Sequence, residues 1–209
     1  MNRRRVGIVV FDEVEVLDFC GPFEVFAAVR LDEEQRRETA SPFEVVLVAE
    51  KIRPIVAHGG LEVIPTHSFE SCPRLDILVV PGGWGTRREL KNPVMLEWLK
   101  VRAAEAELVT SVCTGAMLLG FAGLLEGLSA TTHWKSLDWM RDAFPGVRVS
   151  YDQHVVANER VITSAGISAG IDMALTVVAR CCGEAAARAT ATHMEYPYPD
   201  SNARRVKLR

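Results

Sequence analysis

No apolar run in this chain of 209 residues approaches the roughly 20 residues that a bilayer-spanning helix needs. The longest, Ala116 to Leu125, is interrupted by Gly120 and Gly123. Near the start, Asp12 and Glu13 cut the apolar stretch Val6 to Phe11 short of a secretory signal. A cytoplasmic protein without membrane contact is expected. The five cysteines, Cys20, Cys72, Cys113, Cys181 and Cys182, form no C-x-x-C pair and are odd in number. Reduced thiols are expected, with neither a disulfide framework nor a structural zinc. The histidines at 58, 67, 133, 154 and 193 lack metal-ligand spacing such as H-E-x-x-H. Neither a metal nor another cofactor is expected.

Charge of one sign is also missing. The 24 Lys and Arg against 27 Asp and Glu leave a net charge of -3, too little to steer the protein to nucleic acid or anionic lipid. Arg3, Arg4, Arg5 and Arg204, Arg205, Lys207, Arg209 have no interleaved aromatics, so they read as solvated ends. With no repeat or low-complexity linker, residues 1–209 are expected to form one domain. That length is enough to enclose a site within a core.

What is present is an alternation of short β-branched runs with helical patterns, which points to an α/β fold with a doubly wound, mostly parallel sheet and helices on both faces. Strands are predicted at Val6–Phe11, Phe43–Ala49, Ile77–Val80, Leu108–Val112, Ser129–Thr132, Val147–Ser150, Val155–Ala157 and Arg160–Thr163. A hairpin is predicted over Ile52–Pro65, turning at His58-Gly59-Gly60. Helices are predicted at Val16–Val29, Pro93–Glu105 with Asn92 as cap, Thr114–Ala122, Lys135–Phe144, Ser168–Cys182 and Glu184–His193. In such sheets ligands sit beyond the carboxyl ends of the strands.

At one of those ends, Leu108–Val112 runs straight into Cys113-Thr114-Gly115. A cysteine at a strand-to-helix joint has the shape of a nucleophile elbow. The helix N-terminus there is expected to lower the thiol's pKa. The alternative is a buried, inert thiol, which remains the reading for Cys20, Cys72, Cys181 and Cys182. Val80-Pro81-Gly82-Gly83-Trp84-Gly85 is a glycine-rich turn after a strand. With no helix predicted directly behind it, a dinucleotide site is rejected. His193-Met194-Glu195 supplies an H-x-E pattern, but residues two apart diverge around a helix, so a glutaminase triad is not expected.

The runs Leu17-Asp18-Phe19-Cys20-Gly21-Pro22, Val80-Pro81-Gly82-Gly83 and Ser111-Val112-Cys113-Thr114-Gly115 resemble the ThiJ/PfpI superfamily, whose flavodoxin-like fold is similar to class I glutamine amidotransferases. Ala122 to Leu125, Ala130-Thr131-Thr132-His133-Trp134, Gly166 to Asp172 and Glu195-Tyr196 are similar to its isonitrile hydratase branch. They are shared with sensor domains of some transcriptional regulators. The resemblance implies a nucleophile at Cys113 with Asp18 beside its sulfur as an acid. Two such groups cannot both ionise cheaply, so they would share a proton, the carboxyl pKa rising while the sulfur holds the charge.

The resemblance also implies that the amides of Gly83 and Thr114 stabilise developing negative charge. The Thr114 hydroxyl would orient Asp18, substrate or water, and His133 would line the pocket with Gly82. Phe19, Trp84 and Ile167 are candidates to shape that pocket. Thr114 stands where peptidase-like members carry His, which argues against a peptidase. The expected reaction is hydration of an isonitrile to an N-substituted formamide through a thioimidate on Cys113. The alternatives are a small-molecule sensor, a glyoxalase or deglycase acting on reactive carbonyls, or oxidation sensing at Cys113. With the chain ending at Arg209, a fused helix-turn-helix is not expected. A homodimer is implied, with Trp84, Trp98 or the first helix at its surface.

Overall fold

The computed structural model describes residues 3–206. Its frame is a seven-stranded sheet. In chain order the elements are β1 (Arg4–Val9), α1 (Val16–Ala28), β2 (Phe43–Ala49), β3 (Ile55–Val56), β4 (Glu62–Val63), β5 (His67–Ser68) and β6 (Ile77–Val80). There follow α2 (Thr86–Glu89), α3 (Pro93–Glu105), β7 (Leu108–Val112), α4 (Gly115–Phe121), β8 (Ser129–Ala130) and α5 (Leu137–Ala143). The chain continues through β9 (Arg148–Val149), β10 (Val155–Ala157), β11 (Val161–Ser164), α6 (Ala169–Cys182) and α7 (Glu184–His193).

The sheet order is β10-β11-β7-β6-β1-β2-β5, parallel except for the antiparallel pair β10 and β11. Every residue of β6 and β7 is buried, as continuous apolar runs in a doubly covered parallel sheet require. One layer of helices is α1, α6 and α7, in mutual contact; α4 packs with α2 and α3 elsewhere on the sheet. The chain turns from β1 toward β2 in one direction and toward β6 in the other. That switch point opens a crevice at the carboxyl ends of the strands. The Asn92 side chain accepts from the amides of Val94 and Met95 and starts α3 with Pro93 behind it, as its sequence position predicts.

Several boundaries differ from the sequence reading. The expected strand Val6–Phe11 lies earlier, at Arg4–Val9, because the chain leaves the ladder to begin α1. The expected Lys135–Phe144 helix is split into a tight turn at Trp134–Ser136, capped by the His133 ring, and α5. The strand expected at Ser129–Thr132 pairs only over Ser129–Ala130, with β9, in a separate two-stranded ladder. A one-turn helix, α2, does follow Gly85, correcting the reading that none does. Its four residues are too few to cradle a phosphate by dipole.

The basic ends are not simply solvated. Arg4 pairs with Glu107 at 3.1 Å and Arg5 with Glu44 at 2.9 Å. Arg204 donates to the Tyr151 carbonyl and the Thr131 hydroxyl. Guanidinium forks find carbonyls and carboxylates where a lysine ammonium would stay hydrated. Lys207 and Arg209 lie outside the described residues. Trp98, expected as a possible dimer contact, is instead packed inside, stacked on Phe69 at 4.3 Å and donating to its carbonyl. Among the described residues no helix is long and apolar enough to cross a membrane.

Candidate active site

Cys113 stands between β7 and α4 with a φ of 56°, the left-handed conformation that few non-glycine residues adopt. Its amide donates to the Ala165 carbonyl at 3.1 Å, and its carbonyl accepts from the Thr132 hydroxyl at 2.7 Å. Neighbouring strands thus hold the strained joint. Gly82 and Gly115 let the turn after β6 press directly on it. A Cβ at Gly115 would fall 2.0 Å from the Val80 oxygen, and one at Gly82 would fall 2.5 Å from the Thr114 amide nitrogen.

Asp18 lies in the first turn of α1 yet caps nothing there. It is fully buried, and its Oδ2 accepts the Gly82 amide at 2.9 Å while Oδ1 has no hydrogen-bond partner. Burial pushes its pKa up to about 8, with nearby Glu15 adding to the rise. The Gly82 amide, the Cys113 side chain and the Ile167 amide pull the other way and lose. The expected rise of the carboxyl is therefore present.

The expected fall of the thiol is not. Burial and the adjacent Asp18 raise the Cys113 pKa well above its ordinary value, against the Thr114 amide and hydroxyl that face the sulfur. A helix terminus contributes about 0.3–2 kcal/mol, whereas full burial moves a pKa by up to roughly 3–5 units. With α4 only seven residues long, desolvation wins.

Thr114 is also placed differently. Its Oγ1 accepts the Gly83 amide at 3.1 Å and meets the Thr86 hydroxyl at 3.0 Å. The hydroxyl pins the glycine turn and makes no hydrogen bond to Asp18. The Gly83 amide, expected as a donor to substrate charge, is engaged in the same bond. The Thr114 amide is the one that faces the sulfur. Trp84 is 58% exposed, with the Arg87 guanidinium 4.3 Å over its ring. Gly83 has a φ of 127° and lies against the backbone of Glu13 to Glu15. Phe19 is part of the core.

His133 and Ile167 do come together. They line a cavity of about 260 Å³ with Trp134, His154, Arg204 and Arg205. Neither Cys113 nor Asp18 lines this cavity, although the Ile167 amide on its wall faces Asp18. Its φ of 61° is a strained value for a β-branched residue, worth about 1–3 kcal/mol. Burial and the charges of Lys135 and Arg204 lower the His133 pKa. A wider cleft of about 860 Å³ runs past Asp12, Arg53 and Glu89 but reaches neither Cys113 nor Asp18. His193 and Glu195 are exposed and form no triad with Cys113.

A cluster that sequence reasoning did not assemble lies behind His154 and Arg205, which line the His133 cavity. Asp172, 2% exposed, accepts Tyr196 Oη at 2.8 Å on Oδ1, while the Arg205 guanidinium at 2.7 Å and His154 Nε2 at 3.1 Å lie near its Oδ2 without a hydrogen bond to it. These contacts hold its pKa below the usual carboxylate value despite burial. The runs ending in Asp172 and Tyr196 were both visible, but nothing in their spacing joins them to His154.

The DJ-1/PfpI family model matches residues 4–180. Isonitrile hydratase of Pseudomonas putida is 36% identical over 193 residues, covering 92% of this chain and 78% of that protein. The HTH-type transcriptional regulator GbdR of Pseudomonas aeruginosa is 33% identical over 128 residues, 61% of this chain but only 34% of the regulator. The crystal structure of a ThiJ/PfpI family protein from Pseudomonas syringae matches with a TM-score of 0.83 and 32% identity, covering 97% of this chain and 79% of that one.

Proposed function

The chain belongs to the DJ-1/PfpI family, and within it we propose a cysteine-dependent hydratase that converts an isonitrile to an N-substituted formamide. The observation that carries this reading is the buried Asp18, its pKa raised to about 8, beside the strained Cys113 thiol. The likeness to isonitrile hydratase over 92% of the chain supports the substrate class.

In the ionised pair Asp18 draws the thiol proton as Sγ attacks the terminal isonitrile carbon. The carboxylic acid so formed protonates that carbon, giving a thioimidate, R–N=CH–S–Cys113. Water then adds to the carbon, and the carbon–sulfur bond breaks. One water proton ends on nitrogen and the other on sulfur, so that isonitrile and water balance the formamide. The unpartnered Oδ1 of Asp18 is the atom free to shuttle the proton. The cavity of about 260 Å³ suits a small substituent approaching past Ile167.

The test is incubation with cyclohexyl isocyanide and chromatographic measurement of N-cyclohexylformamide. Multiple turnovers are expected. No product above the buffer rate contradicts the reading. Saturable binding without product would favour the sensor reading, for which the regulator likeness speaks. Loss of methylglyoxal in its place would favour the glyoxalase reading.

A further inference from the structure

We propose that the cleft of about 860 Å³ at the carboxyl ends of β1 and β2 is a second ligand site, which takes a small phosphate monoester. The inference is independent of the hydratase reading, because neither Cys113 nor Asp18 lines this cleft.

The topology accounts for its position. Val10 and Phe11 follow β1, Ala49 closes β2 and Glu50 follows it, and the rest of the lining comes from the segment Lys51 to Ile55, from α2 and from the start of α3. β1 and β2 pair in parallel, so their carboxyl ends lie side by side, where doubly wound sheets place ligands. Buried Val10, Ala49, Ile55 and Met95 close the cleft from below. Its volume falls in the range of roughly 300–1,000 Å³ that small-molecule sites occupy.

The charges of the lining point to an anion. Five side chains are cationic, Lys51, Arg53, Arg87, Arg88 and Lys91, against three anionic, Asp12, Glu50 and Glu89, on a chain whose net charge is -3. Two of the carboxylates are already matched. Arg53 donates to both oxygens of Asp12, at 3.3 and 2.6 Å. Arg88 donates to Glu89 at 2.8 Å and to the Asp12 carbonyl at 3.1 Å. The Asn92 amide donates to Glu89 at 3.0 Å and to Glu50 at 2.9 Å, which orients Glu50 without neutralising it. Lys51, Arg87 and Lys91 enter no ion pair among the described residues.

Three unmatched cations therefore face one unmatched carboxylate, a surplus that a dianion cancels. A phosphate monoester carries roughly -1.5 to -2 at neutral pH and offers three acceptor oxygens. Lysine meets phosphate as a point charge and arginine as a fork, so two lysines and one arginine suit those oxygens. Arg87 lies 4.3 Å over the exposed Trp84 ring, and an anion that draws Arg87 changes the surroundings of that indole.

The experiment is calorimetric titration with glucose 6-phosphate, inorganic phosphate and glucose, on wild type and on the double variants Lys51→Gln/Lys91→Gln and Arg37→Gln/Lys100→Gln. Arg37 and Lys100 are exposed and do not line the cleft, so the second variant loses the same charge elsewhere. Wild type is expected to bind one glucose 6-phosphate per chain and no glucose. Lys51→Gln/Lys91→Gln is expected to weaken that binding about tenfold, the scale of two exposed charge pairs, at an unchanged melting temperature. Arg37→Gln/Lys100→Gln is expected to leave it within about twofold, since distant surface charges are screened. Tryptophan emission is expected to change on binding in wild type and not in Trp84→Phe. No saturable binding, glucose bound as tightly as its phosphate, or equal weakening by both double variants overturns the site. Inorganic phosphate is expected to bind more weakly than the ester; equal affinity overturns the ester and leaves free phosphate as the ligand. An emission change that persists in Trp84→Phe overturns the part given to Arg87.

Discussion

The amide of Gly82 donates to Oδ2 of Asp18 at 2.9 Å across 64 residues of sequence. This bond joins the turn after β6 to the first turn of α1 and brings both against the Cys113 joint. It also leaves Oδ1 as the face of the carboxyl available to the sulfur. A glycine is needed at position 82 because a Cβ there would lie 3.0 Å from that of Cys113 and closer still to Thr114.

Asp18 makes stability depend on pH. Its carboxyl holds a proton up to about 8 in the folded protein, against an ordinary value of 3.8. Between those values the folded state carries a proton the unfolded chain has lost, so its contribution is fully present below the lower value and is lost as pH rises through the higher. Asp18→Asn keeps an acceptor for the Gly82 amide and removes the titration. Above pH about 8 the variant is expected to be more stable than wild type, by on the order of a few kcal/mol, with the gap closing toward acid. Chemical denaturation at stepped pH measures this, and a gap that does not vary with pH would count against it.

Gly115→Ala is expected to destabilise by more than about 3 kcal/mol, an exceptional loss for one methyl group. Its Cβ would meet the backbone oxygen of Val80 at 2.0 Å and that of Pro81 at 2.8 Å, which no side chain can relieve. Gly123→Ala meets nothing within 4 Å and bears only the cost of its φ of 76°, about 1–2 kcal/mol. Thermal denaturation of the two variants separates backbone contact from backbone conformation. Equal losses would contradict the packing of β6 on the start of α4.

Thr114→Val removes the acceptor of the Gly83 amide and the partner of the Thr86 hydroxyl. A loss of about 1–3 kcal/mol is expected from the unpaired polar groups. Thr114→Ser keeps both bonds and is expected to retain the stability and most of the activity of wild type. A Thr114→Ser variant as unstable as Thr114→Val would show that the hydroxyl does not pin the turn.

Much of this arrangement is legible in the sequence, and the reason is burial. Ile77–Val80 and Leu108–Val112 are covered on both faces, so their continuous apolar runs announce central strands. Asn92 with Pro93 marks its helix start by local chemistry alone. The short elements His67–Ser68 and Thr86–Glu89 have no room to display a period. Trp84 illustrates a second limit, because its place in a glycine turn does not tell whether its ring faces the site or, as found, solvent. The direction of the Cys113 thiol is a third, since a helix terminus is visible in sequence while the desolvation that outweighs it is not. His154, Asp172 and Tyr196 meet only through the fold, over separations that spacing rules do not reach.

The pairing of Cys113 with Asp18 is tested most directly by the pH dependence of kcat/KM for N-cyclohexylformamide formation by wild type, Asp18→Asn and Cys113→Ala. Wild type is expected to rise through an apparent pKa of about 8, as the free enzyme's base ionises. Asp18→Asn is expected to lose at least about 100-fold together with that inflection, and Cys113→Ala to form no product at any pH. An inflection unchanged in Asp18→Asn, or product from Cys113→Ala at the wild-type rate, would contradict it.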